Sequence, residues 1–100
     1  MNGIIISQEA ASDLENIWLY TLEKWSQEQA DKYHRQLIEA IKQLALNPYL
    51  GKDVGYILKG YYRLKAQSHL VFYKIDEISN NMMIIRILHE QIDVQARLKE

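Results

Sequence analysis

The chain has 100 residues, 48% of them hydrophobic and 25% charged, with 12 Lys and Arg against 13 Asp and Glu. A chain of that length builds one compact core without room for a second domain, and its balance excludes disorder throughout. A formal charge of −1 excludes the strongly basic surface that nucleic-acid or ribosome docking favours, and the absence of cysteine excludes disulfides, thiolate metal sites and cysteine nucleophiles, which fits a reducing, cytoplasmic setting.

Ile4-Ile5-Ile6 is a short β-branched run, too short for a signal peptide or a membrane span, that stops at Ser7, a good N-cap. Apolar residues then fall at helical spacing, and the pattern predicts a helix from about 8 to 25 with Leu14, Ile17, Trp18, Leu22 and Trp25 on one face. Ser26-Gln27-Glu28-Gln29 has capping-box spacing, so a second helix follows almost without a loop; Ala30, Tyr33, Leu37, Ile41 and Leu44 carry it to Asn47-Pro48. Such a joint implies an antiparallel helical hairpin.

From Val54 onward the periodicity changes from helical to alternating. Strands are predicted at 54–58, 61–66, 69–76 and 82–89, with gaps short enough for antiparallel hairpins, and 47–55 is expected to be the loosest segment. Helices early and strands late give an α+β fold, with the hairpin packed on one face of an antiparallel sheet and the N-terminal strand beside a late strand.

Residues that could carry chemistry are few, since there is no glycine-rich phosphate loop, no nucleophile elbow and no histidine pair at metal spacing. His34 is expected to face solvent, and His69 to be a hydrogen-bonding turn residue whose neighbour Ser68 points to the other side of the strand. His89 ends its strand close to the acidic Glu90 and Asp93, which could set its tautomer. Arg63 and Lys65 share a strand face, and with Arg86 on a neighbouring strand and His89 they would make a minimal ribonuclease site of cations and one imidazole. Tyr56, Tyr61, Tyr62 and Tyr73 suit instead a surface that a protein partner covers.

Several strings, in order and over nearly the whole chain, resemble the ParE toxins of the RelE/ParE superfamily. They are Asp13-Leu14-Glu15-Asn16-Ile17-Trp18 with Tyr20-Thr21 and Trp25; Leu44-Ala45, Asn47-Pro48 and Leu50-Gly51; Gly60-Tyr61, Arg63, Ser68-His69 and Phe72-Tyr73; and Arg86-Ile87-Leu88-His89 with Asp93 and Leu98. Departures fall at Ser26, Tyr62, Ile92 and Arg97, where the family often has Gly, Arg, Met and His.

The resemblance implies a RelE-like fold with a short C-terminal segment, and a cognate antitoxin that folds on binding, for which Leu14, Trp18 and Leu22 are the candidate contacts. It also implies a non-enzymatic toxin without a cofactor that traps the cleaved-DNA complex of DNA gyrase. Ile92, Asp93, Arg97 and Leu98 are candidates for touching that target. The alternative it leaves open is a RelE-type nuclease that cuts messenger RNA on ribosomes, with Arg63, Lys65, Arg86 and His89 as its catalytic set.

Overall fold

The computed structural model describes residues 3–91, as β1 (Ile4–Ile6), α1 (Gln8–Lys24), α2 (Gln27–Leu46), β2 (Lys52–Asp53), β3 (Tyr61–Ala66), β4 (His69–Asp76) and β5 (Asn81–His89). Ser7 starts α1 by accepting the Ala10 N–H on its hydroxyl oxygen at 3.0 Å, and its own hydroxyl donates to the Ile85 carbonyl at 2.8 Å, so one side chain caps the helix and ties it to β5. Ser26 caps α2 through the Gln29 N–H, and Asn47 ends it before Pro48.

The strands form one sheet in the order β1-β5-β4-β3-β2. β2 to β5 are an antiparallel meander, as expected, and β1 joins β5 in parallel, Ile4 opposite Met82, which makes the sheet mixed. The turn between β3 and β4 holds Gln67 at φ 58°, and the turn before β5 holds Asn80 at φ 59°, a conformation that Asn tolerates better than most residues.

The main core lies between the hairpin and one sheet face. Leu37, Ile41 and Leu44 of α2 and Ala10 and Leu14 of α1 pack on Val71, Tyr73, Met82, Ile84 and Ile87. Burying such a set is what holds a short helical hairpin together, at roughly 1.5–3 kcal/mol per large side chain.

The strand predicted at 54–58 is absent, and the strand that does form there, β2, lies earlier. Residues 55–60 are instead a run of turns and bends, closed by Ile57 N–H to Val54 C=O (2.8 Å) and by the N–H of Tyr61, at the start of β3, to Leu58 C=O (3.1 Å). This segment lies over the sheet face away from the helices, where Val54, Ile57 and Leu58 cover Leu70, Phe72 and Leu88. Burial of Phe72 needs a cover more than the sheet needs another strand, and alternation along the sequence cannot separate the two.

The segment expected to be loosest is tied down. The Tyr73 hydroxyl donates to the Pro48 carbonyl at 2.8 Å and accepts the Gly51 N–H at 3.0 Å, so a tyrosine read as surface is fully buried and anchors the loop from below. Trp25 also departs from expectation: it is the C-cap of α1, outside helical geometry, and its side chain is 75% exposed instead of lying on the packed face.

Candidate functional site

A cleft of about 950 Å³ opens between the hairpin and the ends of β4 and β5. Its helical walls carry Ile17 and Tyr20 from α1, Trp25 at its C-cap and Tyr33 from α2; its floor carries His69, Ile87 and His89. Tyr20 is 61% exposed, so with Trp25 it gives the rim an aromatic surface in contact with water.

The two histidines on the floor are directly opposite in the β4–β5 register, with ring centroids 5.3 Å apart and planes at 84°. They stand twenty residues apart in the sequence, and only the hairpin brings them together. The Tyr33 hydroxyl accepts the Ser68 N–H at 3.0 Å and lies 2.7 Å from His69 Nδ1. The contact is satisfied by either neutral tautomer, the hydroxyl donating to a bare Nδ1 or accepting from Nδ1–H on its second lone pair. Burial, and next the neighbouring His89, lower the His69 pKa from 6.5 to about 4, against the opposing fields of Asp13 and Glu90. His89 takes its orientation from the backbone, since its Nδ1 accepts the Gln91 N–H at 3.1 Å. The Glu90 carboxylate expected to hold it is instead 3.0 Å from Lys65 Nζ.

Arg86 lines the cleft in a bidentate pair with Asp13 of α1, Nε to Oδ2 at 2.9 Å and the second nitrogen to Oδ1 at 3.1 Å. Asp13 Oδ2 also accepts the Ile87 N–H at 2.9 Å, past the point where β1 stops covering the edge of β5. One carboxylate thus satisfies a strand edge and a guanidinium together.

These placements separate the candidate ribonuclease set. β4 lies between β3 and β5, so Arg86 is not on a strand neighbouring Arg63 and Lys65, and the expected adjacency fails because a meander places alternate strands two positions apart. Lys65 pairs with Leu70 and Arg63 with Phe72, residues of the sheet face away from the hairpin, whereas His89 sits with His69 and Tyr33 in the cleft. Tyr33 and His69 went unnoticed as site residues because their proximity comes from helix-on-sheet packing.

A second, shallower groove runs along the outer flank of the hairpin. Leu14 (8% exposed, part of the core), Trp18, Asp31, His34 and Arg35 line it, and the Trp18 indole N–H donates to Asp31 at 2.9 Å. His34, expected to face solvent, is half-buried there, and Leu22 is half-buried one turn beyond Trp18. Ile92, Asp93, Arg97 and Leu98 lie outside the described residues. Among the described residues no helix is long and apolar enough to cross a membrane.

A family profile described as "ParE toxin of type II toxin-antitoxin system, parDE" matches residues 4–94. The chain is 36% identical over 94 residues to a protein of Mycobacterium tuberculosis named Toxin ParE1, covering 94% of this chain and 95% of that one. Its fold is similar to that of a chain from the chromosomal ParDE toxin–antitoxin system of P. aeruginosa, with a TM-score of 0.78 at 20% identity, over 89% of this chain and 96% of that one. It is also similar to a chain of the M. tuberculosis RelBE2 toxin–antitoxin complex, with a TM-score of 0.69 at 19% identity, over 89% and 98% of the two chains. At those identities the structural likenesses speak to fold alone.

Proposed function

The chain belongs to the ParE toxin family of type II toxin–antitoxin systems, and from that premise we propose that it acts in the cytoplasm as a non-enzymatic poison of DNA gyrase that a cognate antitoxin neutralises. The observation that carries this reading is the separation of the cations. Arg86 is held by Asp13, Lys65 by Glu90, and Arg63 and Lys65 lie on β3, on the sheet face opposite the His69–His89 floor. A ribonuclease needs cations, acid and base around one phosphate, whereas a poison needs only a surface that binds the cleaved-DNA complex more tightly than the resting enzyme.

Both flanks of α1 suit protein partners. On the outer flank Leu14, Trp18 and Leu22 follow each other at i, i+4 and i+8, the antitoxin-contact set, with Trp18 and Leu22 the more accessible. On the inner flank Tyr20 and Trp25 stand at the rim of the cleft, large aromatic groups of the kind that dominate binding energy once covered. Ile92, Asp93, Arg97 and Leu98 complete the proposal as target contacts.

Purified toxin incubated with gyrase, ATP and relaxed plasmid, then treated with detergent and protease, tests it. Linear plasmid is expected, with messenger RNA intact on ribosomes in a parallel reaction and linearisation suppressed by the antitoxin. Cut messenger with normal supercoiling would overturn it and return catalysis to Arg63, Lys65, Arg86 and His89.

A further inference from the structure

β1 is an edge strand, bonded on one side only. Met82 N–H donates to the Gly3 carbonyl at 2.9 Å and Ser7 N–H to the Ile84 carbonyl at 3.0 Å, so in the parallel register the strand bonds to β5 through Gly3, Ile5 and Ser7. Ile4 and Ile6 therefore turn their N–H and C=O groups outward, where no described residue takes them. Sheet edges are usually guarded by a charge, a proline or a bulge, and Ile4-Ile5-Ile6 has none of these. Met82 and Ile84 face the core, so Ile5 and its register partner Met83 lie on the outer sheet face, where they are 48% and 41% exposed.

We propose that this edge pairs with the same edge of a second copy of the chain, β1 running antiparallel to β1 about a two-fold axis beside Ile5. Ile4 of each chain then faces Ile6 of the other as a hydrogen-bonded pair, which satisfies every outward N–H and C=O with none left over. The two Ile5 side chains face each other as a non-hydrogen-bonded pair, the kind in which side chains approach most closely. With the two Met83 side chains they close an apolar strip on the outer face. Any extended strand can make the backbone bonds; what singles out a second copy is that the two-fold match of bonds and side chains is complete within this chain. A formal charge of −1 leaves little repulsion between copies. The helices do not obstruct the pairing. α1 continues along β5 in the direction of β1, as its contacts from Ser7 to Ile85 and from Asp13 to Ile87 require, so in an antiparallel pair the two copies of α1 run off in opposite directions. Three residues per copy make a small interface, and the dimer is weak and concentration-dependent.

Sedimentation of the full chain from about 10 μM to about 1 mM, with amide exchange followed by NMR over the same range, tests this. A monomer–dimer equilibrium is expected, in which exchange at Ile4 and Ile6 slows as dimer forms while Ile5, bonded to β5, is slow throughout. Ile6→Pro removes an outward donor without breaking a bond to β5, and should weaken dimerisation about tenfold or more. Ile5→Lys, which sets two like charges face to face, should do the same, whereas Leu46→Lys, at the exposed end of α2, should leave dimerisation unchanged. A monomer at every concentration, a dimer in which Ile4 and Ile6 exchange as fast as in the monomer, or undiminished dimerisation of folded Ile6→Pro and Ile5→Lys overturns the pairing. Protection of Ile4 and Ile6 that appears only when antitoxin is added assigns the edge to that partner and overturns it as well.

Discussion

Replacing Asp13 by Ala removes three acceptor contacts at once, two from Arg86 and one from the Ile87 N–H, and leaves a guanidinium and a strand-edge amide without them. The Arg86 and Asp13 side chains are 19% and 13% exposed, so water replaces the lost contacts only in part. Breaking one side of a fully buried pair costs roughly 3–5 kcal/mol; scaled for that residual exposure, about 3 kcal/mol is expected. For a domain of this size, that lowers the melting temperature by roughly 12–24 °C. Asp13→Asn keeps an oxygen for the Ile87 amide but loses the charge, and should fall between wild type and Asp13→Ala. Urea unfolding of Asp13→Ala, Arg86→Ala and the double variant gives the coupling. Single-site effects that add within about 0.5 kcal/mol would refute the argument that the pair acts as one unit. The same experiment bears on function: in this reading Arg86→Ala loses stability, whereas an arginine poised for a phosphate would lose RNA cleavage with stability intact.

Gly51→Ala should destabilise the fold by about 1–3 kcal/mol in urea melts, because a methyl group there meets the Tyr73 ring and hydroxyl and lies 2.6 Å from the Arg63 carbonyl oxygen; Tyr73→Phe should relieve part of the clash and still speed hydrogen exchange across 47–51. His69 has a folded pKa of about 4 against 6.5 unfolded, so between those values the unfolded chain binds more protons. Its contribution is therefore complete above pH 6.5 and is lost as pH falls toward 4; discounted for a half-exposed ring, that is roughly 1–2 kcal/mol. Urea midpoints from pH 4 to 7 should show a flatter slope in His69→Gln than in wild type, and equal slopes would contradict the neutral assignment. Trp25→Ala should leave the melting temperature within about 2 °C, since the side chain touches mostly solvent, whereas Trp18→Ala, within the antitoxin-contact set, should reduce antitoxin affinity in calorimetry by about tenfold or more.

The residues that proved hardest to read share a feature: their neighbours are distant in sequence. Tyr73 has the alternation of any strand residue, and nothing near it announces that its hydroxyl will hold Pro48 and Gly51. His69 and His89 became a pair through strand register, and Tyr33 joined them through helix packing. Arg63, Lys65 and Arg86 were grouped by strand parity, which assigns a face along one strand but says nothing of which strands are neighbours or where a long side chain ends. The stretch 54–58 reads as a strand because apolar residues that cover a sheet and apolar residues within one leave similar patterns.

The sequence by itself determined the helical hairpin, its two serine caps, the meander of β3, β4 and β5, and the family. These depend on local spacing and on motifs whose members lie within a few turns or one hairpin of each other. Only the tertiary structure decided that β1 runs parallel beside β5, that Asp13 closes the β5 edge and neutralises Arg86, and that two histidines and a tyrosine meet on the floor of an aromatic-rimmed cleft. Those arrangements depend on where separate elements come to rest, which is set by the summed burial of many side chains and is carried by no short string of residues.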